Sequence, residues 1–336
     1  MKFKQFAAVA AATALFAATG YLGVKSAANV EIAAGADSFG ALSSFIGGGA
    51  AAVIDLPSDP YLARLDIVGS IGPSSADPLY GASYGYDHSL YMELADAIMD
   101  DENNKGILLY VDSPGGTVYE SDELYLKLME YREKTGRPIY AYFAAEACSG
   151  GYYVAMAANE IYANRNAWTG SIGVIMSLYN YEGLAEKIGV KEINITSGRN
   201  KSMGSAWETL TDEQRGILQS LVDESYGQFA DIVAAGRKLE RGRVLELADG
   251  RIYSASQALE LGLIDHVLGE QDALKAIIEK AGLESEDDIY APERPQTLGW
   301  LNLLSRANAA RPKSELEIFR EILSDKRNGA LMYYAG

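Results

Sequence analysis

The chain has 336 residues, 48% hydrophobic and 22% charged, enough apolar material for a sizeable core, which excludes disorder over most of its length. Its net charge is −17 and no basic stripe compensates, so phosphate backbones are repelled and nucleic acid is not an expected partner. A single cysteine, Cys148, excludes an intramolecular disulfide and a thiolate metal cluster, and only two histidines occur, His88 and His266.

Lys2 and Lys4 precede an uncharged run over 6–24 rich in Ala, Leu, Val and Phe. A positive flank ahead of an apolar run reads as a secretory signal or a membrane anchor. At about 20 residues the run is long enough to cross the hydrocarbon core as a helix. Residues 1–28 are therefore expected to be a transmembrane anchor. A cleaved signal peptide is the alternative, with small residues at 17–18 and 26–28. Lys2 and Lys4 would stay cytoplasmic, placing the bulk of the protein on the outer side of the cytoplasmic membrane. Residues 29–60, rich in Gly, Ala and Ser, read as a linker.

A regular pattern then begins. Residues 63–71 read as a strand, 88–99 carry helical spacing, and 107–111 (ILLYV) form the apolar run of a strand buried on both faces. Helices follow over 119–134 and 149–159, with a strand over 138–143 between them. Strand-like pieces fall at 161–163 and 171–176, a helix at 181–188 and a strand at 191–195. A long helix over 211–238 and a last strand near 263–267 complete the series. Strands alternating with helices predict an α/β fold on a largely parallel sheet. Residues 61–272 are expected to form the main folded domain and 273–336 a charged helical or irregular tail. That tail ends in the apolar stretch 329–336, read as a frayed terminus ahead of the alternative that it lies in the active site.

Two glycine-bearing junctions sit where strands give way to helices: Asp112-Ser113-Pro114-Gly115-Gly116, and Cys148-Ser149-Gly150-Gly151. Such loops gather at the carboxyl ends of strands, where open sheets bind ligands. Their backbone N–H groups suit a developing oxyanion or a phosphate. Neither loop matches a nucleotide-binding glycine pattern. Ser149, taken alone, reads first as a helix N-cap and second as a nucleophile. The flanking residues do not make the G-x-S-x-G elbow, because position 147 is alanine. With two histidines placed before and after the core strands, a Ser-His-Asp triad is hard to assemble, and lysine is the alternative base.

Three segments in order, 111–116 (VDSPGG), 148–155 (CSGGYYVA) and 169–174 (TGSIGV), resemble the signal peptide peptidase A family in its short form. The stretch 197–201 (SGRNK) is similar to that family's lysine segment and 258–265 (ALELGLID) to its closing element. The resemblance covers about 60–270. It implies a Clp protease/crotonase-like fold of stacked ββα units. It also implies a Ser-Lys endopeptidase in which Ser149 is the nucleophile, Lys201 the general base and Ser171 the residue that orients the lysine. Gly116 and Gly150 N–H would form the oxyanion hole. No metal or organic cofactor is implied. Lys201 is expected to be buried between Ser149 and Ser171, since a neutral amine requires removal from water. Remnant signal peptides and unfolded membrane-protein fragments are the implied substrates, and an octameric ring the implied assembly. Cys148 stands where the family commonly has a smaller residue and is read as an apolar packing residue. The other classes considered are a crotonase-like acyl-CoA enzyme, which needs no Ser149/Lys201 pair, and a non-catalytic membrane scaffold in which Ser149 is only a cap.

Overall fold

The computed structural model describes residues 54–73, 85–292 and 331–334. The expected anchor over 1–28 lies outside them. Among the described residues no helix is long and apolar enough to cross a membrane.

In chain order the elements are β1 (Tyr61–Val68), α1 (His88–Met99), β2 (Asn104–Ser113), β3 (Gly115–Thr117), α2 (Val118–Thr135), β4 (Ile139–Cys148), α3 (Gly150–Ala155), β5 (Glu160–Ala163) and β6 (Trp168–Gly170). There follow β7 (Ile175–Met176), α4 (Glu182–Ile188), α5 (Asp212–Arg237), α6 (Arg241–Leu247), β8 (Ile252–Ser254), α7 (Ala255–Glu260) and β9 (His266–Val267). The last are α8 (Glu270–Ala281), β10 (Ile289–Tyr290) and β11 (Leu331–Tyr334). The α/β class is as expected.

The main sheet runs β10-β1-β2-β4-β5-β9, and its neighbours are parallel. β6 extends it beside the far end of β4, and β8 returns antiparallel on β6, which makes the sheet mixed. β2 explains why the sheet is covered twice. Ile107, Leu109 and Val111 point into the larger core with α1, α2, α3 and α5, whereas Leu108 points the other way into a smaller cluster with Ala273, Leu274 and Ile277 of α8. Period-2 alternation with apolar residues on both faces produces that result. α8 begins before the boundary expected at 272, and β10 closes the edge beyond β1.

Helix ends follow local chemistry. Asp87 caps α1 by accepting from Leu90 N–H, and Thr211 with Gln214 forms a capping box at α5. A bidentate pair holds the closing segment to α5: Arg237 Nη2 lies 2.7 Å from Asp265 Oδ1 and Nη1 2.9 Å from Oδ2.

Three expectations are corrected. Residues 191–195 are not a strand. Their alternation is real, but Ile193 and Ile195 are 79% and 98% exposed, and no described sheet edge pairs with them. Residues 171–176 divide, with β6 ending at Gly170 and only β7 extended beyond it. The stretch 331–334 is an ordered strand, not a frayed end. It lies between β3 and β7 in a second, three-stranded sheet.

Candidate active site

β4 ends at Cys148 and α3 begins at Gly150, so Ser149 is the hinge residue between them. Its φ is 51° and ψ −114°, a conformation that disfavours a side chain. Its N–H donates to Gly170 carbonyl at 2.8 Å and its own carbonyl accepts from Tyr153 N–H at 2.8 Å, which fixes the turn. Only three non-glycine residues among those described have positive φ: Ser149, Ser171 and Lys238. Lys238 is the left-handed cap of α5, a common helix ending. The other two are the serines singled out from the sequence. Strain of this kind costs about 1–3 kcal/mol and concentrates at functional sites.

The cap reading of Ser149 fails. Its side chain makes no capping hydrogen bond, and its buried Oγ has no hydrogen-bond partner. A buried hydroxyl left unpaired costs about a further 1–3 kcal/mol. Strain and an unpaired buried hydroxyl at one residue are features that packing alone does not explain.

Ser171 reaches the same place through the sheet. Cys148 pairs with Gly170 across β4 and β6, so Ser149 and Ser171 each follow one member of a directly opposed pair. Ser171 is buried, and its N–H donates to Arg251 carbonyl at 2.8 Å.

The glycine loops converge here. Ile71 N–H donates to Gly115 carbonyl at 2.8 Å, and Thr117 N–H donates to Ile71 carbonyl at 2.9 Å. Alternate residues of a strand turn their N–H and carbonyl to opposite sides, so those of Gly116 face the other edge. Along that edge runs β11, antiparallel, with Tyr333 directly opposite Gly116. Gly115 has φ 106°, and a Cβ placed on it would stand 2.1 Å from the Tyr333 carbonyl oxygen, 2.7 Å from Gly150 N and 3.0 Å from Ser149 Cβ. A Cβ on Gly150 would stand 2.6 Å from Ser121 Oγ and 3.1 Å from Gly116 N. Two backbone N–H groups, a serine side chain and a peptide carbonyl thus crowd into one spot that tolerates no side chain. Backbone N–H groups and a carbonyl oxygen gathered beside a serine are groups that acyl-transfer chemistry can use.

The peptidase family S49 model matches residues 131–284, which contain Ser149, Ser171 and Lys201. A candidate protease of Synechocystis sp. is 43% identical over 201 residues, covering 60% of this chain and 72% of that protein. The chain belongs to peptidase family S49. A candidate signal peptide peptidase SppA of Enterococcus faecium is 39% identical over 220 residues, and the chain spans 63% of its length. The chloroplastic serine protease SPPA of Arabidopsis thaliana is 31% identical over 204 residues, 30% of its length. The kinship expected from the sequence motifs is borne out.

One expectation about this S49 chain is corrected. Lys201 is not buried between Ser149 and Ser171; it is exposed, in an irregular turn where its N–H donates to Gly198 carbonyl at 3.1 Å. It makes no hydrogen bond with Ser149 Oγ. The segment around it, 189–210, has no helix or strand and is held by polar contacts within itself and to its flanks, among them Thr209 Oγ1 to Glu182 of α4 and Arg199 to Glu213 of α5. Ser205 Oγ donates to Glu192 and Ser202 Oγ to Glu208, at 2.7 and 2.8 Å. Nothing in that segment covers the lysine.

Neighbouring groups are accounted for. Burial, followed by the charge of Glu146, pushes the Cys148 thiol up to about 12, so it stays protonated near neutrality. His88 bonds Tyr86 and Glu123, and His266 stacks on Tyr162 beside Glu160. Neither histidine is engaged with Ser149.

Sequence reasoning missed the residues around Tyr333. Its ring is fully buried, stacked on Tyr153 with centroids 4.7 Å apart at 24°, and packed on Phe229 at 4.7 Å and 53°. Its hydroxyl donates to Ser225 carbonyl at 3.2 Å. The apolar stretch itself was visible, but its partners come from β3, α3 and α5, which only the fold brings together.

Proposed function

We propose that this chain is a membrane-anchored serine endopeptidase acting through a Ser149–Lys201 dyad on a Clp protease/crotonase-like fold. The observation that carries the reading is the strained, unpartnered Ser149 beside Gly116 and Gly150 N–H, with a peptide carbonyl already laid against them. Neutral Lys201, oriented by Ser171, takes the Ser149 proton as Oγ attacks the peptide carbonyl carbon. The two N–H groups receive the oxyanion, the lysine returns its proton to the leaving amine, and water then releases the acyl group from Ser149. Remnant signal peptides and unfolded membrane-protein fragments fit a groove that binds substrate as an added strand. The anchor rests on the sequence of residues 1–28, and puts the body outside the cytoplasmic membrane.

In the single chain the lysine and the serine do not bond, so the reading assigns their meeting to assembly. The exposed apolar residues Ile188, Val190, Ile193 and Ile195, in the stretch of chain that leads to Lys201, support that assignment, since a surface so apolar is suited to a second copy of the chain. A ring, octameric by resemblance, would cover them, take lysine out of water and favour its neutral form.

The test is hydrolysis of an unfolded peptide by the full-length protein in detergent. Ser149→Ala and Lys201→Ala should each be inactive with unchanged circular dichroism, and mixing the two inactive proteins should restore part of the activity. Full activity of either variant would sink the dyad.

A further inference from the structure

The proposed reaction gives no task to Ser113, although it stands in the first glycine loop. The residue is fully buried at the point where β2 gives way to β3. Pro114, which follows it, has no N–H to offer a partner. The Ser113 hydroxyl supplies the pairing there instead. It donates to the Gly69 carbonyl at 2.6 Å and accepts from Gly115 N–H at 3.1 Å. The second of these is the short turn that serine forms with its own backbone two residues on. The first crosses to a separate segment, whose Gly69 N–H donates in turn to the Asp112 carbonyl at 2.9 Å.

These bonds decide which way the next peptide faces. The peptide between Gly115 and Gly116 is flanked by glycines on both sides, so backbone sterics leave its orientation open. Its carbonyl accepts from Ile71 N–H at 2.8 Å. In a trans peptide the N–H points opposite to the carbonyl, so Gly116 N–H is turned from Ile71 toward the β11 edge, where the oxyanion would form. A half-turn of that peptide would put a carbonyl where the donor is needed. Ser113 opposes the turn twice: it holds Gly115 N–H, and it holds Gly69, two residues before the Ile71 that takes the carbonyl. It also meets the second donor's helix. A Cβ on Gly151 would stand 3.3 Å from Ser113 Cβ and 3.1 Å from its carbonyl oxygen, so the first turn of α3, which carries Gly150, packs on this serine.

We propose that Ser113 is a positioning residue of the peptidase, its hydroxyl locking the Gly115–Gly116 peptide with Gly116 N–H turned to the oxyanion. The proposal rests on the peptidase reading above, with Gly116 as a donor.

The test measures hydrolysis of an unfolded peptide by the full-length protein in detergent. Rates are taken per site titrated by the end point of fluorophosphonate labelling, so misfolded molecules are not counted. Ser113→Ala should lower kcat by about 10–100-fold, short of the loss when a donor is deleted outright, with KM within about twofold. The Ki of a peptide aldehyde, whose adduct carries the oxyanion, should rise by about the same factor. Should Ser113→Ala not fold, Ser113→Cys fills the same space with a weak donor and acceptor and carries the same expectation. A kcat per titrated site within about twofold of the parent, or an unchanged aldehyde Ki beside a fallen kcat, would overturn the proposal. No hydrolysis and no labelling in the parent protein would overturn the peptidase reading instead.

Discussion

Replacing Tyr333 with alanine removes the anchor that keeps β11 in the groove. The ring is fully buried between Tyr153 and Phe229, and its hydroxyl has one acceptor, so truncation forfeits the burial of a whole aromatic side chain. Such truncations cost about 3–5 kcal/mol in a protein core. Taking 3 kcal/mol, the lower end, docking of the strand weakens by about 100-fold. A substrate or probe then competes with a far weaker occupant. The assay is the second-order rate at which a fluorophosphonate probe labels the full-length protein in detergent. Tyr333→Ala should label at least about tenfold faster than the parent, with circular dichroism unchanged because the main sheet does not depend on β11. Labelling that is unchanged or slower would refute the reasoning, since it would mean that β11 does not obstruct Ser149.

Three further outcomes follow from the same geometry. Gly150→Ala would set a Cβ 2.6 Å from Ser121 Oγ and 3.1 Å from Gly116 N, displacing an oxyanion donor, so kcat should fall by about 100–1000-fold with the fold retained. Ser149→Gly should abolish turnover yet raise stability by about 1 kcal/mol in urea titration, because glycine relieves the strain at φ 51°. Asp265 is half-buried, and although burial opposes its ionisation, hydrogen bonds from Arg237 and Ile161 N–H hold its carboxyl below the usual range. A lowered folded pKa contributes stability above the unfolded value near 3.9 that is lost as pH falls through the folded one. Asp265→Asn should therefore lower stability near neutrality and flatten its decline below about pH 4, as read by thermal melts.

Much of the fold was legible because the pattern and the packing agree. The helix over 88–99 is found with the same limits, since Asp87 caps it and Leu90, Leu94 and Ile98 share its buried face. The strand expected over 107–111 is longer, Asn104–Ser113, because its flanks pair with β1 and β4 although they are polar. Where the reading failed, the cause lay beyond local pattern. Residues 191–195 alternate like a strand but no described edge pairs with them, and 331–334 become one because β3 and β7 supply two. At the site, residue types pointed to Ser149, but a serine before a helix is equally a cap. Only its dihedral angles and idle hydroxyl separate the two. The lysine illustrates the opposite limit: its proposed role came from the resemblance, and the burial expected with it is not met in the single chain, where Lys201 is exposed.

The central claim is that Ser149 attacks and Lys201 makes it able to. The direct measurement is covalent labelling of the assembled full-length protein by a fluorophosphonate probe, with the adduct mapped by mass spectrometry. The account predicts an adduct on Ser149 in the parent protein, none in Ser149→Ala, and labelling slowed by at least about 100-fold in Lys201→Ala. An adduct on another serine, or undiminished labelling of Lys201→Ala, would contradict it.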